Sequence, residues 1–129
     1  MSDDLFNKGS ELRRRVLGEE YVRNTLKGTT SFNQPFQVLV TEYCWGKVWS
    51  REGLSLRDRS IINLALLSAL NRPHELKIHV RGALRNGVTR EEISEILLQV
   101  TIYAGVPAGL DAFRVASEVL SEVAVPIGQ

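Results

Sequence analysis

The chain has 129 residues, 16 basic and 15 acidic, with two histidines, one cysteine and 43% hydrophobic residues. That length and balance describe one ordinary globular domain, residues 1–129, rather than a disordered or collagenous chain. A net charge of +1 argues against a nucleic-acid partner, and one cysteine with two histidines excludes an internal disulfide, a redox CxxC and a structural zinc site.

Helix signals then follow one another along the chain. Leu5, Leu12 and Val16 recur at near-helical spacing up to Gly18, and Tyr21, Val22 and Leu26 up to Gly28. The run Thr29-Thr30-Ser31-Phe32-Asn33 offers N-cap oxygens ahead of Pro35, and Phe36, Leu39, Val40 and Tyr43 then share one helical face. The valines around Leu39 also suit a strand, but their period is nearer 3.6 than 2. Trp45-Gly46-Lys47-Val48-Trp49 reads as the end of that helix and the loop after it.

Ser55 opens the next helix, with Asp58 three residues on as a weak capping-box variant. Its apolar residues, Ile61, Ile62, Leu64, Leu66, Leu67 and Leu70, cover every side, the pattern of a buried central helix. Asn71-Arg72-Pro73 breaks it. A stripe of Leu76, Val80, Ala83 and Leu84 then runs to Asn86-Gly87. Thr89-Arg90-Glu91-Glu92 is a capping box stapled by Val88 to Ile93, and Ile96, Leu97 and Val100 continue that face to Gly105. After Pro107 a last amphipathic helix carries Ala112, Phe113, Ala116, Leu120 and Val123, and Pro126 and Gly128 mark a frayed tail. The fold class is all-α, a bundle of about six to seven helices. The acidic start and the interrupted apolar run of Ile61–Leu70 predict a cytoplasmic chain with no membrane partner.

The residues with chemistry cluster around the break at Pro73. Glu75 and His79 stand at i and i+4, on one helix face with Cβ atoms about 5–6 Å apart. The carboxylate can orient the imidazole or raise its pKa, which suits proton transfer near neutral pH; the plainer reading is a satisfied histidine at the core's edge. Arg51, Arg57, Arg59 and Arg72 flank the central helix, where guanidinium forks suit a small dianionic acid or pair with Glu52, Asp58 and Glu75 on a solvated rim. Arg13-Arg14-Arg15 reads as a wet helix face. Trp45 and Trp49 suit a pocket wall or an oligomer contact equally. Cys44 reads as a small buried hydrophobe without thiolate activation, and His74 as solvent-facing.

The stretch Trp45–Phe113, with its W-G-x-x-W, G-L-x-x-R-x-R-S, A-L-N-R, E-L-K-x-H and Y-x-G-V-P-A segments, resembles the carboxymuconolactone decarboxylase family of the alkylhydroperoxidase-D-like superfamily. The upstream segments RRRVLGEEYV and FNQPFQ extend the resemblance over almost the whole chain. It implies an all-helical homo-oligomer, a trimer or hexamer, that needs no metal or organic cofactor. Arg72 and Glu75 stand where the superfamily's peroxidases carry two cysteines ahead of the histidine, which removes peroxide chemistry.

The implied reaction is decarboxylation of 4-carboxymuconolactone to 3-oxoadipate enol-lactone, in the β-ketoadipate route of aromatic degradation. On that reading His79 is the general acid, oriented by Glu75. Arg51, Arg59 and Arg72 bind the acetate arm or polarise the lactone carbonyl, and Trp45 and Trp49 line an apolar wall. The alternatives are a cofactor-free decarboxylase or isomerase acting on another small carboxylated lactone or keto acid, and a non-catalytic helical oligomeric binding module.

Overall fold

Every regular element in residues 2–124, the part of the chain that a computed structural model describes, is helical. The elements are α1 (Ser2–Leu17), α2 (Glu19–Lys27), α3 (Gln34–Leu39), a π-helical stretch (Val40–Trp49), α4 (Leu56–Ala69), α5 (Pro73–Arg85), α6 (Arg90–Ala104) and α7 (Val106–Ala124). The expected helix breaks are where glycine and proline put them. Gly18 and Gly105 turn the chain at φ 101° and 109°, on the side of backbone space that side chains disfavour. Pro126 and Gly128 lie outside the described residues. The chain forms two compact units that meet between Leu56 and Arg57.

In the first unit α1 packs on the π-helical stretch through two glycines. A Cβ on Gly9 would strike the carbonyl of Thr41 and lie 2.9 Å from the amide nitrogen of Gly46; one on Gly46 would lie 2.7 Å from the carbonyl oxygen of Leu5. Only hydrogen at these positions lets the two backbones touch. Around this crossing Val16, Leu17, Val22, Trp45 and Trp49 are buried. So is Arg13, whose Nη1 donates to Gln37 Oε1 at 3.0 Å and to Thr41 Oγ1 at 3.4 Å. Burial lowers its pKa from the usual guanidinium value.

Three expectations change here. The arginine triplet is not uniformly wet, because successive helical residues point about 100° apart and Arg13 is the one that turns inward. Trp45–Trp49 is no loop: it completes the π-helical stretch, whose i→i+5 pairing makes a wider turn than the α-helix. That wider turn puts Thr41, Trp45, Gly46 and Trp49 on the buried face and leaves Tyr43 exposed; Phe36 and Leu39, in α3, are exposed as well. Asn33, finally, puts its side-chain oxygen on the amide of Thr30 at 2.7 Å, closing the turn before α3 rather than capping the helix.

The second unit has one apolar core, Leu64 of α4, Leu76, Val80 and Ala83 of α5, Val88, Ile93 and Leu97 at and in α6, and Ala112, Ala116 and Val119 of α7. The α6 cap forms as its sequence predicts: Thr89 Oγ1 accepts from the Glu92 amide at 3.1 Å, and Glu92 Oε1 accepts from the Thr89 amide at 2.9 Å. Arg57 joins this cap by an ion pair to Glu92 and a bond to the carbonyl of Gly87. Its partner is thus Glu92 rather than the rim carboxylates expected.

Helix α4 departs furthest from expectation. Its inward row is Ser60, Leu64 and Ser68, one residue per turn, while Ile62, Leu66 and Leu70 are exposed. The serines are satisfied, Ser68 by the carbonyl of Leu64 one turn back at 2.6 Å and Ser60 by Asn86 Nδ2 from the end of α5 at 2.8 Å. Ile61 and Leu67 still pack against the core beside Leu64, but with Ile62 and Leu66 exposed α4 is covered on one side rather than on every side.

Gly9→Ala and Gly46→Ala are each expected to cost about 2 kcal/mol or more, since the new methyl meets backbone that cannot move aside. Gly53→Ala meets nothing within 4 Å and is expected to leave stability within about 0.5 kcal/mol. Urea midpoints of the three variants check this; equal midpoints would remove the crossing as a constraint.

Candidate active site

The placement of His79 in the second unit is set by the break before α5. Asn71 takes φ 59°, a left-handed conformation that asparagine tolerates, and the amide of Arg72 then bonds back to the carbonyl of Leu67 at 2.9 Å. This turn starts α5 at Pro73. Counting from there, Leu76, Val80 and Ala83 enter the core, and His79 falls inside the same buried stripe with 9% of its surface exposed. Its Nδ1 is closed off from solvent.

Burial dictates the protonation of His79. Removing the imidazole from water penalises its cationic form and lowers its pKa to about 4. The sequence led us to expect the reverse, a rise caused by Glu75. Glu75 is instead exposed in the first turn of α5, one turn nearer solvent, and desolvation is the cause that acts on His79. At neutral pH the ring is a neutral imidazole, able to donate from one nitrogen and accept at the other.

The arginines have diverse surroundings. Arg59, in the first turns of α4, is half-buried with its Nε enclosed. Arg72 is exposed, and its Nη1 donates to the carbonyls of Leu70 and Asn71 at 3.4 Å each, so the cation sits on the C-terminal end of α4. Thus Arg59, Arg72, Glu75 and His79 belong to the second unit. Arg51, Trp45 and Trp49 belong to the first.

The two tryptophans stack, with ring centroids 4.6 Å apart and planes 20° from parallel. Trp49 and Arg51 line a cavity of about 820 Å³. Lys8 and Arg15, which the sequence reading assigned no site role, line it too. Their signal was present in the spacing of Lys8, Glu11, Leu12 and Arg15 at i, i+3, i+4 and i+7, one face of α1.

Cys44 is exposed, contrary to the expectation of a buried hydrophobe. Desolvation of its sulfur nonetheless raises the thiol pKa, against the pull of Arg13 and of a hydrogen bond with Trp49, so it stays protonated. His74 is exposed as expected. Among the described residues no three of His, Cys, Asp or Glu gather as a metal site would require, and no helix is long and apolar enough to cross a membrane.

Residues 34–118 match the Carboxymuconolactone decarboxylase family. The chain is similar to the 4-carboxymuconolactone decarboxylase of Acinetobacter baylyi (strain ATCC 33305 / BD413 / ADP1), 41% identical over 93% of this chain and 90% of that one. It is as similar, at 41% over 92% of this chain and 83% of the relative, to the nitrosuccinic acid decarboxylase npaB of Metarhizium robertsii (strain ARSEF 23 / ATCC MYA-3075).

Burial of His79 has a thermodynamic signature. Between about pH 6.5 and pH 4 the unfolded chain binds a proton on this residue that the folded chain does not. Folding stability therefore falls as pH drops through that window, by up to about 3 kcal/mol from His79 alone, and the contribution is fully present above it. His79→Gln is expected to flatten this part of the dependence. Urea unfolding of both proteins at about pH 7 and about pH 4.5 measures it, and identical losses in the two would show that His79 is not held neutral.

Proposed function

The chain belongs to the carboxymuconolactone decarboxylase family and is a decarboxylase of it, and we propose that its substrate is 4-carboxymuconolactone, converted to 3-oxoadipate enol-lactone. The observation that carries this reading is His79, a neutral imidazole built into an apolar stripe within the span that matches the family.

The reaction suits a protein with few chemical means. The carbon that loses CO2 sits in an unsaturated lactone, and the electron pair of the breaking C–C bond moves through the ring double bond onto the lactone carbonyl. The substrate is its own electron sink, so the protein has to desolvate one carboxylate, stabilise a dienolate and return one proton to the α-carbon. His79 performs the last step. In the free protein it is neutral, and a bound dianion beside it favours the imidazolium, so binding takes up a proton that is then delivered to carbon.

Arg59 holds a substrate carboxylate with its fork, and Arg72 is a further cation for the acetate arm or the carbonyl. Glu75, at the exposed end of the same helix face, orients the ring or relays to it the proton taken up from solvent.

A second reading is favoured by the relative that decarboxylates nitrosuccinic acid at the same 41% identity. There the acceptor of the electron pair is a nitro group instead of an unsaturated carbonyl, and the protein's tasks are unchanged. Loss of ultraviolet absorbance with CO2 release on the lactone, against CO2 release on nitrosuccinate, separates the two. Release from neither would leave a binding module.

We further infer that the working unit is a homo-oligomer, trimer or hexamer, a reading supported by exposed Phe32, Phe36, Ile102, Tyr103 and Leu110. A sedimentation mass near a single 14.5 kDa chain would refute it. His79→Gln is expected to lower kcat/KM ~10²–10⁴-fold. Arg59→Lys, which keeps the charge and loses the fork, is expected to raise KM several-fold. Turnover of His79→Gln within a factor of a few of wild type would sink the acid role, and unchanged constants in Arg59→Lys would remove Arg59 from the site.

A further inference from the structure

We propose that the cavity of about 820 Å³ in the first unit is a binding site for an extended dicarboxylate. One wall is a single face of α1, where Lys8, Glu11, Leu12 and Arg15 follow one another along the helix, and the segment after Trp49 brings Arg51 and Glu52, a cation and a carboxylate side by side, to the other wall. Lys8 and Arg15 are seven residues apart, which sets them about 10 Å apart along the helix axis. Glu11 stands between them at the spacing for an intrahelical ion pair with either. Among the described residues neither cation forms one.

This arrangement selects a shape as well as a charge. The carboxylate of Glu11, midway between the two cations, repels a compact dianion placed there. A molecule with an anionic group at each end meets a cation at each end. Leu12 and the edge of Trp49 supply apolar surface for the carbon chain between the two carboxylates. Arg15 offers one end a planar fork, and Lys8 offers the other a point charge. The site is independent of the decarboxylation reading, since it is made by the first unit alone and calls on neither His79 nor Arg59.

Adipate, which has no electron acceptor and undergoes no reaction here, is the probe. Isothermal titration of the full-length protein with adipate at low salt is expected to show saturable binding that weakens as ionic strength rises. Arg15→Gln and Lys8→Gln, both at exposed positions, are each expected to bind adipate roughly tenfold more weakly with unchanged circular dichroism. Hexanoate and inorganic phosphate are expected to bind roughly tenfold more weakly than adipate. Absence of saturable adipate binding would overturn the proposal, as would unchanged affinity in the two variants. Phosphate binding as tightly as adipate would replace it with a point-anion site. Because no turnover enters the measurement, failure here leaves the decarboxylase reading standing, and the reverse also holds.

Discussion

A titratable ring held inside the apolar stripe of a helix is the constraint on which the second unit turns. Burying His79 beside Leu76, Val80 and Ala83 favours the form without charge, and the surrounding carbon keeps it so. The geometry before it serves this placement. Asn71 in its left-handed conformation and Pro73 at the first turn fix where α5 begins, and therefore which residue each turn sends inward. A start displaced by one residue would rotate the helix by about 100° and send a neighbour to the core instead.

The first unit solves a different problem with the opposite means. There the demand is closeness of two backbones, met by Gly9 against Thr41 and Gly46 and by the wider turn of the π-helical stretch. The same wider turn brings Trp45 and Trp49 into a stack and buries Thr41 where it can accept from Arg13. Residues that look like separate oddities in the sequence, a glycine between tryptophans and an arginine in a basic run, are parts of one crossing.

Much of the fold was legible because helix punctuation is local. Gly18, Pro35, Pro73, the Thr89–Glu92 box and Gly105 act within a turn of themselves, and every one sits at the helix boundary it predicts. That His79 borders the buried stripe of α5 was legible for the same reason, since Leu76, Val80 and Ala83 flank it, but its full enclosure was not. What was not legible depends on partners distant in sequence. The inward face of α4 is chosen by what packs on it, so Ser60 and Ser68 displace Ile62 and Leu66 from the core. The direction of the His79 pKa shift follows from the enclosure that the whole unit makes, which no i, i+4 pair encodes. The register of the π-helical stretch answers to α1, more than thirty residues earlier for Gly9 against Thr41.

The bond of Arg57 to both Glu92 and the Gly87 carbonyl has a consequence for how freely the protein can be rebuilt. Surface turns between helices are ordinarily the places that accept insertions, grafted peptides or new chain ends. The turn from Asn86 to Thr89 is a surface turn, yet it is clasped by the start of α4 on one side and is itself the cap of α6 on the other. Added residues there would part the Arg57–Glu92 pair and the capping box together. The segment Thr29–Asn33, whose hydrogen bonds reach no further than four residues along the chain, is the better point of entry for new sequence.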